Sequence, residues 1–307
     1  MKAFALLYFS YKHLDEENKM AEEIKRGKLY LCPTPIGNLE DMTFRVIRTL
    51  KECDEIAAED TRNSIKLLNH FEIDTPMTSY HEFNKYDKGR VLVDEMLKGK
   101  SIALITDAGT PGISDPGEVL VQLCYEAGIE VTSLPGACAA TTALTMSGLA
   151  TRRFCFEAFL PQDKKEQKEI LEDLRRETRT IVLYEAPHRL VRTLELLSKD
   201  FGDRRAVTIK ELTKKHEKRE SGTVSELLEF YKKNEPKGEF VIVIEGKKHS
   251  ELLEEEQQQW ESVSLEEHMK LYMDKGMSKK EAMKQVAVDR GVPKREIYAK
   301  ILESEEN

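Results

Sequence analysis

The sequence predicts an α/β protein with two sheet-bearing domains followed by a small helical tail. Three observations carry that prediction. Short apolar, β-rich runs alternate with stretches of helical period along most of the chain. The β-rich runs lengthen after residue 150. The 307 residues also exceed what one domain of roughly 100–200 residues accounts for.

Residues 1–27 open with a short apolar run, Phe4 to Phe9, and continue as DEENKMAEEIKRGK. A secretory signal needs a longer apolar core and a small-residue cleavage site. This leader is therefore expected to be frayed chain or a mis-assigned start, with Met20 close to where the folded region begins. LYLCPTP (29–35) reads as a strand ending in prolines, after which Met42, Val46, Ile47 and Leu50 recur at helical spacing. DEIAAED (54–60), TPMTSY (75–80), SIALITDAG (101–109) and IEVTSLPG (129–136) read as further strands. RNSIKLLNHF, KGRVLVDEMLKG and GEVLVQLCYEAG lie between them with helical periodicity. A helix after nearly every strand predicts a mostly parallel sheet, and residues 28–149 are expected to form the first domain.

RFCFEAFL, RTIVLYEA, RRAVTIKEL and GEFVIVIEG read as longer strands, separated by charged helices over 163–178 and 189–200. Residues 150–247 are expected to form a second α/β domain. The hydrophilic KKHSELLEEEQQQ is expected to be a linker over 248–259. Residues 260–307 read as a helical tail. Ser278 with Glu281 three residues on forms a capping box, Gly291 closes that helix and Pro293 opens the next. The two helices joined by DRGVPK resemble a helix-turn-helix; a packing or dimerisation bundle fits them equally well.

Composition narrows the function. No run approaches the ~20 apolar residues of a bilayer span, so no membrane protein is expected. Five cysteines (Cys32, Cys53, Cys124, Cys138, Cys155) are scattered without a CxxC pair or a partnered His motif. That excludes the familiar zinc frameworks and points to reduced thiols in a cytoplasmic protein without a metal. With 48 Lys+Arg against 56 Asp+Glu the net charge is −8, which does not advertise a nucleic-acid binder. Local charge departs from that total: Arg204 to Arg219 holds seven Lys/Arg against Glu211 and Glu217. Such a stretch is either a solvated face or a track for a phosphate backbone.

Three Gly/Pro-rich bends fall at the carboxyl ends of predicted parallel strands: Thr34 to Asn38, Asp107 to Gly112, and Leu134 to Ala137. Open α/β sheets bind ligands at that edge. None of the bends is a GxGxxG fingerprint or a GxxxxGK[ST] loop, which disfavours a dinucleotide site and excludes a P-loop. Asp107 ends an apolar strand, where its carboxylate must find donors or a cation. Asp115 is expected to cap the next helix with Pro116 at its first position. Glu59, Asp60, Thr61, Arg62 and Asn63 crowd the end of another strand, more polar groups than a helix cap requires. Tyr80 to Asn84 and Tyr184 to Arg189 close strands in the same style. His188 fits a general base or a helix-start hydrogen-bonding residue. No HExxH or Ser/His/Asp signature supports a hydrolase.

The segments LCPTPIGNLEDMTFR, AAEDTRNSIKLL, ITDAGTPGISDPG, LPGACAATTALTMSGL, FEAFLP, YEAPHR and GEFVIVIEG, in this order, closely resemble the ribosomal RNA small subunit methyltransferase I family. That family lies within the tetrapyrrole-methylase (class III) superfamily. The resemblance spans about residues 28–247, and the tail is similar to the family's C-terminal segment. It implies two α/β domains with S-adenosylmethionine in the cleft between them. The implied reaction is methylation of the ribose 2′-hydroxyl of cytidine 1402 in 16S ribosomal RNA, by a cytoplasmic homodimer acting on the small subunit. Carried over by motif, the cofactor residues are Pro35, Asp107, Thr110, Cys138, Ala139, Tyr184 and Leu212. Glu59, Asp60, Glu185 and His188 are the candidate acceptors of the ribose proton. Arg62, Asn63, His81, Asn84, Arg189, Lys210 and Lys214 are assigned to RNA positioning. Two alternatives stand beside this: a methylase of a tetrapyrrole or other small molecule on the same fold, and a non-enzymatic nucleic-acid-binding protein.

Overall fold

The computed structural model describes residues 26–305, so residues 1–25 of the expected leader lie outside the described residues. A first sheet takes shape from β1 (Lys28–Leu31), β2 (Glu55–Ala58), β3 (Met77–Ser79), β4 (Ile102–Ile105) and β5 (Glu130–Ser133). Its order is β3-β2-β4-β1-β5 and every pairing is parallel. The central β4 reads IALI and is buried at all four residues, as a parallel strand covered on both faces must be. Helices α1 (Phe44–Glu52) and α2 (Thr61–His70) cover one face through Val46, Leu50 and Leu68. Helices α3 (Lys85–Leu97) and α4 (Gly117–Glu126) cover the other through Leu92, Met96, Leu120 and Cys124. The chain leaves β1 toward β2 but leaves β4 toward β5, in opposite directions from neighbouring strands. That reversal opens a crevice at the carboxyl edge between β1 and β4.

Helix α5 (Ala139–Ser147) follows β5 directly, yet packs away from the first sheet. Its Ala140, Ala143 and Leu144 sit on Val182, Val207, Ile209, Val241 and Val243 of a second sheet. The crossing therefore happens at residues 134–138, one helix before the boundary expected near 150. Small apolar residues at helical spacing let α5 lie close against the β-branched surface.

The second sheet comprises β6 (Phe154–Ala158), β7 (Thr180–Glu185), β8 (Arg205–Lys210), β9 (Lys218–Thr223) and β10 (Phe240–Ile244), in the order β6-β7-β10-β8-β9. Only β6 and β7 pair in parallel. The period-two alternation of strands sorts its residues cleanly. Ile181, Leu183, Ile242 and Ile244 face α6 (Lys164–Arg175), α7 (Pro187–Phe201) and α8 (Val224–Lys233), while Val182, Tyr184, Val241 and Val243 face α5. The Arg204–Arg219 stretch is no single helix face: it runs through β8, a turn and the start of the edge strand β9, which the sequence did not announce. Charged residues suit an edge strand, where they discourage pairing with another chain.

The expected linker is instead helix α9 (His249–Gln258). Lys247 pairs with Glu255 of this helix, and Arg176 reaches Glu256 at 2.6 Å. Helices α10 (Leu265–Met273), α11 (Lys279–Asp289) and α12 (Lys294–Glu305) form the tail around Met269, Met283, Val286 and Ile297. The Ser278–Glu281 capping box is present, and Ser264 with Glu267 forms another. No helix among the described residues is long and apolar enough to cross a membrane.

Candidate active site

The crevice between β1 and β4 opens into a cavity of about 660 Å³ that extends to the second sheet. Its first wall is the Asp107–Asp115 bend. Thr34 and Gly109 exchange backbone hydrogen bonds of 2.9 and 3.0 Å, tying the loop after β1 to the loop after β4. Gly109 is required there: its φ is +88°, and a Cβ would stand 3.3 Å from Ile36 Cγ2. Thr110 Oγ1 donates to the Ala137 carbonyl at 2.8 Å, joining the bend to the loop after β5. The Asp115 carboxylate accepts from the N–H groups of Gly112, Ile113 and Gly117, folding the bend back on itself. Helix α4 starts at Gly117 with Pro116 as its cap residue, one position later than expected, because the Asp115 side chain serves the bend as well as the helix.

The second wall is apolar. Tyr184 Oη accepts the Ala140 N–H at 3.0 Å, and its ring meets Phe156 edge-on at 4.8 Å and Phe159 at 5.7 Å. Burial pushes the Tyr184 phenol up to about 12, so it stays protonated at neutral pH. Ile209, Leu212 and Val241 complete this side. A register shift between Phe156 and Ala158, with Ala158 at φ +58°, turns the chain so that Phe159 reaches the cavity. Ser114 and Glu211 also hold positive φ around the cleft. Strained backbone of this kind gathers at functional sites.

The residues assigned to the cofactor are brought together with one exception. Asp107, Thr110, Cys138, Ala139, Tyr184 and Leu212 all line the cavity. Pro35 does not: of the loop after β1 it is Ile36 that lines the cavity, while Thr34 is buried, pairing with Gly109 through its backbone and donating its hydroxyl to the Thr106 carbonyl at 3.1 Å. Burial raises the Asp107 carboxyl above its ordinary value, and the negative charges of Glu59 and Asp60 add to that. No cation among the described residues pairs with Asp107. A positively charged group entering here would relieve that repulsion.

The four proton-acceptor candidates separate. Glu59 lines the cavity, accepts the Thr106 hydroxyl at 2.5 Å and faces the Asp107 N–H at 3.4 Å. His188 lines it from the second position of α7 and is exposed. Glu185 also lines it but is only 2% exposed and fully engaged. Its oxygens accept the Ala186 N–H at 2.8 Å and the Thr193 hydroxyl at 2.5 Å, with Arg189 Nε at 3.4 Å. Asp60 is not in the cavity. It caps α2 through the Arg62 N–H and pairs with the Arg62 guanidinium at 3.0 Å, which holds its carboxyl below the ordinary range.

Most residues assigned to RNA have structural partners. Arg189 donates to the Leu160 carbonyl. Lys214 is held by Glu211 at 3.0 Å and Glu239 at 2.8 Å, and its stem lies over Gly37, where a Cβ would come within 2.4 Å of Lys214 Cγ. Asn84 fixes its own turn, accepting the His81 N–H at 2.8 Å and donating to the Ser79 carbonyl. His81 Nδ1 is buried without a partner. Lys210 ends β8 opposite Phe240 and Lys218. Arg62 and Asn63 are exposed at the start of α2. Elsewhere in the basic stretch, Arg219 is a helix cap, donating to the carbonyls of Met146 and Ser147 at the end of α5.

Sequence reasoning passed over Thr106, Ile36, Phe159, Ile209 and Glu239, all on the cavity wall. Thr106 and Phe159 lie inside the quoted segments ITDAG and FEAFLP; Ile209 carries no signal beyond an apolar strand. No cluster of His, Cys, Asp or Glu able to hold a metal ion occurs among the described residues.

Residues 28–228 match the family of Tetrapyrrole (Corrin/Porphyrin) Methylases. The chain is 50% identical over 273 residues to a ribosomal RNA small subunit methyltransferase I of Halalkalibacterium halodurans, covering 89% of this chain and 94% of that one. It is likewise 50% identical over 272 residues to the protein of that name from Bacillus subtilis, covering 89% and 93%. Among solved structures it is similar to uroporphyrin-III C-methyl transferase from Thermus thermophilus complexed with S-adenosyl homocysteine. That match has a TM-score of 0.51 and 18% identity, over 71% of this chain and 97% of the other.

Proposed function

Because the chain belongs to the tetrapyrrole methylase family, and within it to the ribosomal RNA small subunit methyltransferases I, we propose that it methylates small-subunit ribosomal RNA with S-adenosylmethionine. The site is the ribose 2′-hydroxyl of cytidine 1402 in 16S ribosomal RNA, and the enzyme works in the cytoplasm as a homodimer.

The observation that carries this reading is the composition of the 660 Å³ cavity. One wall is apolar and lined by Tyr184, Ile209, Leu212 and Val241; the other ends in an Asp107 carboxylate with no cationic partner among the described residues. This suits a molecule with a flat, weakly polar part and a positive centre. S-adenosylmethionine supplies an electrophilic methyl group on a sulfonium. Asp107 and Thr110 would hold its polar end, while Cys138, Ala139, Tyr184 and Leu212 would enclose the remainder. Thr34, Gly109 and Thr110 fix the bend before binding, so alignment costs little when substrate arrives.

The incoming hydroxyl must lose its proton. Glu59 and His188 both line the cavity and neither is enclosed as Glu185 is, and these two are the acceptors we favour. Glu185 positions Arg189 and the start of α7, and Asp60 positions Arg62.

Small subunits lacking the modification, incubated with this protein and methyl-labelled S-adenosylmethionine, should acquire one labelled ribose at cytidine 1402 by mass mapping. Label on a tetrapyrrole but none on RNA would assign the activity to a small molecule. Label at another nucleotide would remove the site.

A further inference from the structure

A second cavity of about 270 Å³ adjoins the first and shares Ile36 with it. Asp41 and Thr43 reach it from the loop after β1, Thr142 from α5, and Thr213 from the turn between β8 and β9. None of these four takes part in the cleft described above.

Thr213 carries two defects at once. Its φ is +63°, a conformation that β-branched residues rarely adopt, and its Oγ1 is buried without a hydrogen-bond partner. A buried polar atom left unsatisfied in an otherwise well-bonded protein calls for a specific cause, and a ligand that completes it is one. The other polar walls keep spare capacity. Thr43 Oγ1 accepts the Val46 N–H and retains a donor; Thr142 Oγ1 donates to the Cys138 carbonyl and retains acceptor sites. The Asp41 carboxylate has no ion pair among the described residues. Donors and acceptors thus stand together in a small cavity, as the edge of a nucleobase requires.

A ring and positive charge stand close to Thr43 and Thr213 along the chain. Phe44 follows Thr43 and is 93% exposed, a large apolar surface with no intramolecular use. Arg45 and Arg48 extend from the same exposed side of α1, and Lys215 stands two residues beyond Thr213. None of these three cations has an ion pair among the described residues. Unpaired bases stack on aromatic rings, and unpaired cations hold the adjoining phosphates. The Asp41 carboxylate on the cavity wall disfavours a phosphate inside, which leaves the base as the group that enters.

We propose that this second cavity, with Phe44, Arg45 and Arg48 beside it, holds an unpaired nucleotide of the RNA substrate outside the methyl-transfer cleft. The proposal rests on RNA being the substrate.

The test uses the full chain and a fluorescently labelled single-stranded RNA covering the target region, read by anisotropy. Phe44→Ala, Thr213→Val and the double variant Arg45→Gln/Arg48→Gln should each weaken RNA binding at least fivefold. The double variant should also flatten the plot of log affinity against log salt by a slope of about 1.4, two phosphate contacts' worth. Affinity for S-adenosylmethionine by calorimetry should stay within twofold. Thr213→Val should melt at or above the wild-type temperature, because it removes an unsatisfied hydroxyl; weaker RNA binding by a variant that is no less stable cannot come from misfolding. Unchanged RNA affinity in Phe44→Ala and Thr213→Val overturns the proposal. Loss of self-association in Phe44→Ala with RNA affinity kept would assign the face to a second copy of the chain. Loss of S-adenosylmethionine affinity with RNA affinity kept would make the cavity part of the cofactor site. Wild-type methyl transfer to small subunits is run alongside. If that fails, the underlying reading falls with the proposal; if it succeeds while the variants bind RNA unchanged, only the proposal falls.

Discussion

The Tyr184 hydroxyl accepts the backbone N–H of Ala140 at 3.0 Å, so the strand that walls the cavity also holds the first turn of the helix that floors it. Tyr184→Phe removes the acceptor and leaves that N–H unsatisfied beside an apolar wall. It should cost about 1–2 kcal/mol in urea denaturation. It should also weaken S-adenosylmethionine binding several-fold by calorimetry, because Cys138 and Ala139 lose their anchor.

Asp107→Ala should weaken S-adenosylmethionine binding at least tenfold, about 1.4 kcal/mol. The effect has a pH signature. The Asp107 carboxyl titrates above its ordinary value of 3.8 through burial and the neighbouring Glu59, and only its ionised form attracts a cation. Wild-type affinity should therefore fall as pH drops through that raised value, and the Ala variant should show a flatter profile. Equal profiles would place the cation elsewhere.

Glu185 has both oxygens engaged and is nearly inaccessible, while Arg189 beside it also holds the Leu160 carbonyl. Glu185→Ala strands a half-buried guanidinium and orphans the Thr193 hydroxyl. Equilibrium unfolding should show a loss of about 3 kcal/mol. Were Glu185 a free proton acceptor, the same variant would keep its stability and lose only turnover.

Acid sensitivity should trace in part to Glu177. Its carboxylate receives Arg179 Nε at 2.9 Å and the Arg179 N–H at 2.8 Å, and these hold its pKa down to about 2 against an ordinary 4.5. A depressed folded-state pKa contributes stability above the unfolded value and loses it as pH falls through the folded one. The contribution is thus whole above pH 4.5 and disappears between 4.5 and 2. Melting temperatures across that window should fall less steeply for Glu177→Gln than for wild type.

Strand and helix order in the first sheet was legible because parallel, doubly covered strands announce themselves as short apolar runs. The site was legible where a bend had to be Gly/Pro-rich, as at Asp107 to Gly112. It was illegible where direction mattered more than identity. Glu59 and Asp60 are adjacent acids, and only the fold shows that one turns into the cavity and the other back onto α2. Pro35 looked like its neighbours, and only the fold shows that Ile36 of that loop is the residue on the cavity wall. Edge strand β9 was hidden by its charges. Helix α9 was hidden because its supports, Lys247 and Arg176, come from outside the segment.

One peptide link, Ala137 to Cys138, joins two separately fastened parts. The Ala137 carbonyl is tied to Thr110 on the first sheet's loops, and α5, beginning at Ala139, is tied to the second sheet through Tyr184. The floor of the gap therefore keeps a fixed span across this link, and the Lys214 stem lying over Gly37 is a further contact between the halves. A methyl donor seated on that floor would stay gripped while a bulky acceptor came and went.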